Sequence, residues 1–380
     1  MNSSEGNSGI ICEDDEEYYL DSKHEENSSI MYEDEDEYYS YSKHEENSGI
    51  ICEDEDEYYS KSEDKQIITK EELYELIASN SDINALDETG ASILHKLVQN
   101  NQLELINILL NSKQKININL LDGNKCTPLS LAVLKNYIEC VEILLKAGAD
   151  TNVFGQYYDL FHLSIRTMKI EITKLLLDYC VDPNSIDQYG DAPFVSLAMP
   201  YVTNTGKMLI MTHILIEAGA NPNLQDKEGG TPLHYLEDQP EIVRFLLKAG
   251  ADPNIVDKYG KTALNTSMMK GNIELIEDFL AAGADINHID LKGNSYLHIL
   301  AERGYVDQIN RLIEAGSTID IQNRIGETAL HIAVILGYEF LARYLLEVGF
   351  DPNITNKNDK TVWDLIGGNK SIIDLFKKIP

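Results

Sequence analysis

The chain has 380 residues, 43% of them hydrophobic, and a formal net charge of −33 at pH 7. So acidic a chain repels nucleic acid and anionic lipid, which excludes both as partners, and no apolar run approaches the roughly 18 residues of a membrane span. Its cysteines (Cys12, Cys52, Cys126, Cys140 and Cys180) are odd in number and form no CxxC pair, so free thiols in a reducing cytoplasm are expected rather than a disulfide framework. The opening MNSSEGNSG has neither the basic nor the apolar region of a secretory signal.

Residues 1–65 hold 23 acidic and 4 basic residues. They are built on a 20-residue tandem repeat: CEDDEEYY at 12–19, YEDEDEYY at 32–39 and CEDEDEYY at 52–59, with SKHEENS at 22–28 and 42–48. Like charges at every spacing oppose both helix and sheet. Two or three aliphatic residues per unit cannot offset backbone ordering at roughly 1–2 kcal/mol per residue, so this tail is expected to be disordered. Tyr18, Tyr19, Tyr38, Tyr39, Tyr58 and Tyr59 each belong to a pair that follows five acidic residues, a context that tyrosine kinases accept. They are candidate modification sites; a solvated spacer is the plainer reading. The HEEN phrases have neither HExxH nor EF-hand spacing, so no metal is expected.

From about residue 66 the composition changes. Thr69-Lys70-Glu71-Glu72 reads as a capping box opening a helix over 66–86 with Leu73, Leu76 and Ile77 on one face. A phrase that opens a helix then recurs at Ser92, Thr127, Asp159, Ala192, Thr231, Thr262, Ser295, Thr328 and Thr361, with spacings of 35, 32, 33, 39, 31, 33, 33 and 33. The unit from Asp257 to Asn287 shows the logic: a turn with Asp and Gly, Thr262 as N-cap, a short helix to about Gly271, and a second helix with Ile273, Leu275, Ile276, Phe279 and Leu280 on one face. Gly283 ends that helix in a place suited to the left-handed conformation. Two helices with one apolar face each cannot bury it alone, whereas stacked copies can.

The period and its phrases, Thr231-Pro232-Leu233-His234, Thr328-Ala329-Leu330-His331 and the recurring Ala-Gly-Ala-Asp of Ala249 to Asp252 and Ala282 to Asp285, resemble the ankyrin-repeat family. The resemblance implies an all-α ankyrin-repeat solenoid: eight repeats over 87–355, then a partial ninth and a C-terminal cap over 356–380. Irregular units stand third, with Phe154 in the turn, and fourth, where Pro200 to Gly206 reads as a lengthened loop between helices.

No catalytic, cofactor-binding or metal-binding residue emerges. Thr205-Gly206-Lys207-Met208 fails as a phosphate loop, because Tyr201 and Met208 replace its first glycine and its magnesium-holding hydroxyl. His95, His162, His234, His298 and His331 share one repeat position, and the resemblance implies that they are structural, bonding to the neighbouring turn. It also implies that the turn tips and first helices line a concave face that binds another protein. Candidate contacts at the tips are Tyr189, Lys227, Lys258, Tyr259, Leu291, Lys292, Arg324, Ile325 and Lys357, a basic row able to dock an acidic partner. The resulting expectation is a monomeric, non-enzymatic adaptor of the kind common in intracellular bacteria and large DNA viruses, which deliver such arrays to host cytosol. The alternative is a regulatory subunit or inhibitor of an enzyme, with the acidic tail occluding its own groove.

Overall fold

The computed structural model describes residues 67–79, 81–152, 159–198 and 204–366, all within one compact unit, Ser62–Pro380. The acidic tail with its six paired tyrosines, the turn at Phe154, the stretch Pro200 to Thr203 and the last 14 residues lie outside the described residues.

A lone helix, α1 (Lys70–Ala78), precedes a series of helix pairs. These are α2 (Ile93–Gln99) with α3 (Leu103–Leu110), α4 (Pro128–Leu134) with α5 (Ile138–Lys146), α6 (Leu160–Arg166) with α7 (Ile170–Asp178), and α8 (Pro193–Ala198) with α9 (Thr205–Glu217). They continue as α10 (Pro232–Tyr235) with α11 (Pro240–Lys248), α12 (Ala263–Met269) with α13 (Ile276–Ala281), α14 (Tyr296–Arg303) with α15 (Val306–Glu314), and α16 (Ala329–Ile335) with α17 (Glu339–Glu347). A short α18 (Val362–Leu365) follows. Within pairs such as α4 with α5 and α16 with α17 the helices pack on each other; between pairs, first helix stacks on first and second on second, as in α12 on α14 on α16 and α9 on α11 on α13. The all-helical stack expected from the sequence is what folds, with isolated bridges such as Val256 to Thr262 in place of strands among the described residues.

Each element follows from its residues. Thr or Ser opens most first helices from extended backbone, as at Thr127, whose hydroxyl accepts the Ser130 N–H, and at Thr262, whose hydroxyl accepts that of Asn265; Asp159 does the same for α6. Pro128, Pro193, Pro232 and Pro240 begin their helices, where a missing N–H costs nothing. First helices are buried on nearly all sides because they lie between two neighbours and behind their own partner: every residue from Tyr296 to Ala301 is buried. Second helices are amphipathic: α15 buries Gln308, Ile309 and Leu312 and turns Asp307, Arg311 and Glu314 outward. The capping box on α1 is present in full, and Leu73 beneath it is buried.

One expectation is corrected. Thr205 and Gly206 are not loop but the first turn of α9, which runs 13 residues against nine in α5, α7 and α11. Asn204 caps it, its side-chain oxygen accepting the Lys207 N–H at 2.9 Å, so part of the extra length of the fourth unit is helix.

Candidate binding surface

The tips are built by one repeated device. In the described tips, an Asp or Asn ahead of the first helix folds its side chain back so that Oδ1 accepts the backbone N–H groups two and four residues on. Asp257 takes those of Tyr259 and Lys261, both at 2.8 Å, and Asn323 takes those of Ile325 and Glu327 at 3.1 and 3.0 Å. The residue three after the acid is left-handed and usually glycine, as at Gly260 (φ 72°) and Gly326 (φ 80°). A second constraint acts there: a Cβ on Gly326 would stand 2.7 Å from the Lys357 nitrogen of the next tip. The tips are in turn tied to one another by backbone bonds, Lys258 N–H to Glu228 O (2.8 Å), Leu291 N–H to Tyr259 O (3.2 Å), Arg324 N–H to Lys292 O (2.9 Å) and Lys357 N–H to Ile325 O (3.0 Å). Side chains at the tips therefore project from a stiff backbone.

Each candidate falls on one of these tips. Lys227, Lys258, Tyr259, Leu291, Lys292, Arg324, Ile325 and Lys357 are exposed and Tyr189 is half-buried. Their frame differs from a simple basic row. Counting from the turn acid, Lys227, Lys258, Arg324 and Lys357 occupy the first tip position, but Lys292 occupies the second, beside Tyr189, Tyr259 and Ile325, and Leu291 holds the first. Lys258 is engaged by Glu228 of the preceding tip, which holds its ammonium above the usual lysine value, and it lies 4.9 Å over the Tyr259 ring. The aliphatic part of Lys227 lies where a Cβ on Gly190 would fall. First helices add little surface: Ala263 to Met268 and Ala329 to Val334 are all buried.

Sequence reasoning overlooked a further row, the residue just before each turn acid. Leu86, Leu121, Ile186, Val256 and Ile289 are exposed there. The signal was available, since an aliphatic residue recurs at one repeat position with no helix face to bury it.

Four histidines act as staples between units. His298 Nε2 donates to Glu327 O at 2.8 Å while its Nδ1 accepts the Ser295 N–H at 3.0 Å; a carbonyl can only accept, so the proton is on Nε2. His95, His234 and His331 reach Cys126, Lys261 and Lys360 carbonyls in the same way, at 3.0, 3.0 and 3.4 Å. Burial lowers all four below the ordinary imidazole value. His162 is different. Its Nδ1 pairs with the Asp159 carboxylate at 2.6 Å, and its buried Nε2 has no partner. The next unit is held instead by Arg166, whose Nη2 reaches Asp191 at 2.7 Å and Asp187 at 3.4 Å.

No group of three metal-ligating side chains occurs among the described residues, and none of their helices is long and apolar enough to cross a membrane. Burial pushes the Cys140 thiol up to about 12, which leaves it unreactive.

Comparison with known families decides the lineage. The family described as Ankyrin repeats (3 copies) matches residues 68–154, 198–290 and 267–356. The chain belongs to the ankyrin-repeat family. Among relatives, an ankyrin repeat protein of Acanthamoeba polyphaga mimivirus is 30% identical over 179 residues, 43% of this chain and 29% of that protein. The nuclear factor NF-kappa-B p105 subunit of Gallus gallus is 31% identical over 162 residues, covering 41% and 16%. The human transient receptor potential cation channel subfamily A member 1 is 30% identical over 151 residues, covering 39% and 13%. Each alignment spans less than a third of the relative's own length. The ankyrin repeat that departs furthest is the third. Besides its incomplete histidine staple, it places Met168 (φ 52°) and Cys180 (φ 63°) in left-handed positions where the sixth repeat has Gly271 and Gly283.

Proposed function

We infer that this chain is a protein-binding scaffold that holds its partner through the tips of its ankyrin repeats, with no chemistry of its own. Ankyrin repeats are protein-interaction modules as a class, and the observation that carries the reading here is the tip ladder. It fixes exposed cations and exposed apolar side chains side by side on backbone tied from repeat to repeat. A rigid surface loses little conformational entropy on binding, and Tyr and Arg, present here as Tyr259 and Arg324, are among the residues enriched in energetic hot spots.

The test is recovery of partners from a eukaryotic cytosol by the intact chain, by Arg324→Glu/Ile325→Asp, and by Glu314→Lys on the outer face of α15. Quantitative mass spectrometry should find a set of proteins lost with the tip variant and kept with the control. Identical profiles for all three would place the binding surface elsewhere.

A further inference from the structure

The tips of the sixth to ninth repeats have withdrawn their acids from the surface. Asp257 and Asp290 are buried, each with Oδ1 bonded to two backbone N–H groups, and Glu327 is buried as well. In the eighth and ninth repeats Asn323 and Asn356 make the same turn with no charge at all. What reaches solvent is mainly cationic. Lys292, Arg324 and Lys357 are exposed, and their side chains make no hydrogen bond or ion pair among the described residues; Asp359 is the exposed carboxylate of these four tips. Beside the cations stand Tyr259, Leu291 and Ile325, exposed by 43, 52 and 49%. Each of the sixth, seventh and eighth tips therefore offers one cation and one apolar side chain at adjacent positions: Lys258 with Tyr259, Lys292 with Leu291, Arg324 with Ile325.

We propose that these four tips bind an extended acidic segment of the partner protein that carries an apolar side chain at every third residue. The proposal rests on the tips being the binding surface. The acidic character follows from charge complementarity: Lys292, Arg324 and Lys357 are exposed with no carboxylate partner among the described residues, and a ligand that lays carboxylates along the tips pairs with them. The period follows from length. Stacked helices lie roughly 8–10 Å apart, so successive tips do too. A polyproline II chain advances about 9 Å in three residues, one full turn, which brings the same face of the segment over each tip in turn. Four tips then take about twelve residues, the triplets over the sixth to eighth tips each setting one apolar side chain on the apolar tip residue and an acid on its neighbour, and the last setting an acid on Lys357.

Fluorescence anisotropy with the intact protein tests this, using three fluorescein-labelled twelve-residue peptides. The first is (Glu-Glu-Leu) four times over, the second has the same composition with its leucines grouped at one end, and the third is (Lys-Lys-Leu) four times over. The first should bind at least five-fold more tightly than either other, weaken as salt is added, and lose at least ten-fold to Lys292→Glu/Arg324→Glu, whose thermal midpoint stays that of the parent. Equal binding of the grouped peptide overturns the period, and equal binding of the lysine peptide overturns the charge. If no peptide binds while Arg324→Glu/Ile325→Asp still loses its cytosolic partners, the acidic class is wrong and the tip surface survives. If neither peptide binding nor partner recovery responds to substitution at the tips, the reading of the tips itself has failed.

Discussion

At the scale of single residues, backbone handedness separates what is required from what is tolerated. Gly283 has φ 91° and open space around a would-be Cβ, so a side chain there meets strain from the backbone alone. Cys180, at φ 63° and exposed, carries that strain already. Gly283→Val should lower stability by about 1–2 kcal/mol, and Cys180→Gly should raise it by up to about 1 kcal/mol, both read from urea midpoints. Opposite signs at equivalent positions are the point of the pair; matching signs would contradict the assignment. Asp320 offers a second residue-scale test. Elsewhere an asparagine stands in its place, with Oδ1 taking an N–H from the next repeat and Nδ2 donating to a glycine carbonyl, as Asn254 does with Asp285 and Gly283. Asp320 accepts the Asp351 N–H but has no amide to donate, and burial together with the Asp351 charge raises its carboxyl above the usual value. A carboxyl raised on folding costs stability while ionised, and that cost vanishes as pH falls below the ordinary aspartate value. Asp320 is only half-buried, so solvent screens most of that cost; Asp320→Asn, which regains the amide donor, should stabilise by up to about 0.5 kcal/mol at neutral pH, with a smaller gain near pH 3 in the same titration. These residues show the limit of reading from sequence. The N-caps and histidines were legible because each is a side chain with one job at a fixed offset. The shift of Lys292 by one place was equally present, two residues after Asp290 rather than one, but shows only when the turn acid sets the frame.

At the scale of elements, the repeat period was legible and the helix ends were less so. Gly206 follows Asn204 and Thr205 in a run of turn-forming residues, and local propensity favours a loop there. The burial of Met208, Met211, Thr212 and Leu215 along one helical face overrides it by packing. Because Gly206 is helical and a Cβ there would meet only Asn204 Oδ1 at an ordinary 3.5 Å, Gly206→Ala should stabilise by roughly 0.5–1 kcal/mol. A loss of stability in thermal melts would restore the loop. The histidine staples give the stack a dependence on pH. Each of the four is held below its ordinary value by burial, so the unfolded chain takes up protons that the folded one refuses. Their contribution is complete above the unfolded value of about 6.5 and is lost as pH falls from there toward the lowered folded value. The melting temperature should accordingly decline between pH 7 and 5. His298→Asn, the residue that the sixth repeat uses naturally as Asn265, keeps the capping contact and removes the staple to Glu327. It should cost about 1 kcal/mol at neutral pH and flatten the acid decline; an unchanged slope would mean that protonation acts elsewhere.

At the scale of the molecule, charge is divided unequally. The first 65 residues hold 23 acidic and 4 basic residues out of 64 and 31 in the whole chain, so over half the net charge sits in a sixth of the length. Composition makes that imbalance plain, whereas the role of the paired tyrosines is open to a sharper test. Phosphorylation adds roughly −1.5 to −2 charges per site, a small change against so many carboxylates, so an effect through bulk charge is ruled out by magnitude. It would have to act by creating a motif that an Arg-containing pocket reads. The repeat then gains a physical purpose. Twenty residues of chain in the flexible regime span about 25 Å r.m.s., a distance that lets two pockets be engaged at once and raises avidity by roughly 10²–10⁴ over one site. On this argument, protein expressed in a eukaryotic cytosol should carry phosphotyrosine at Tyr18, Tyr19, Tyr38, Tyr39, Tyr58 or Tyr59 by mass spectrometry. Recovery of a phosphotyrosine-reading partner should climb steeply, not linearly, as one, two and three tyrosine pairs are left intact and the others changed to Phe. Recovery proportional to the number of pairs would point to independent single sites, and absence of the modification in cells where the protein acts would return the segment to a solvated spacer.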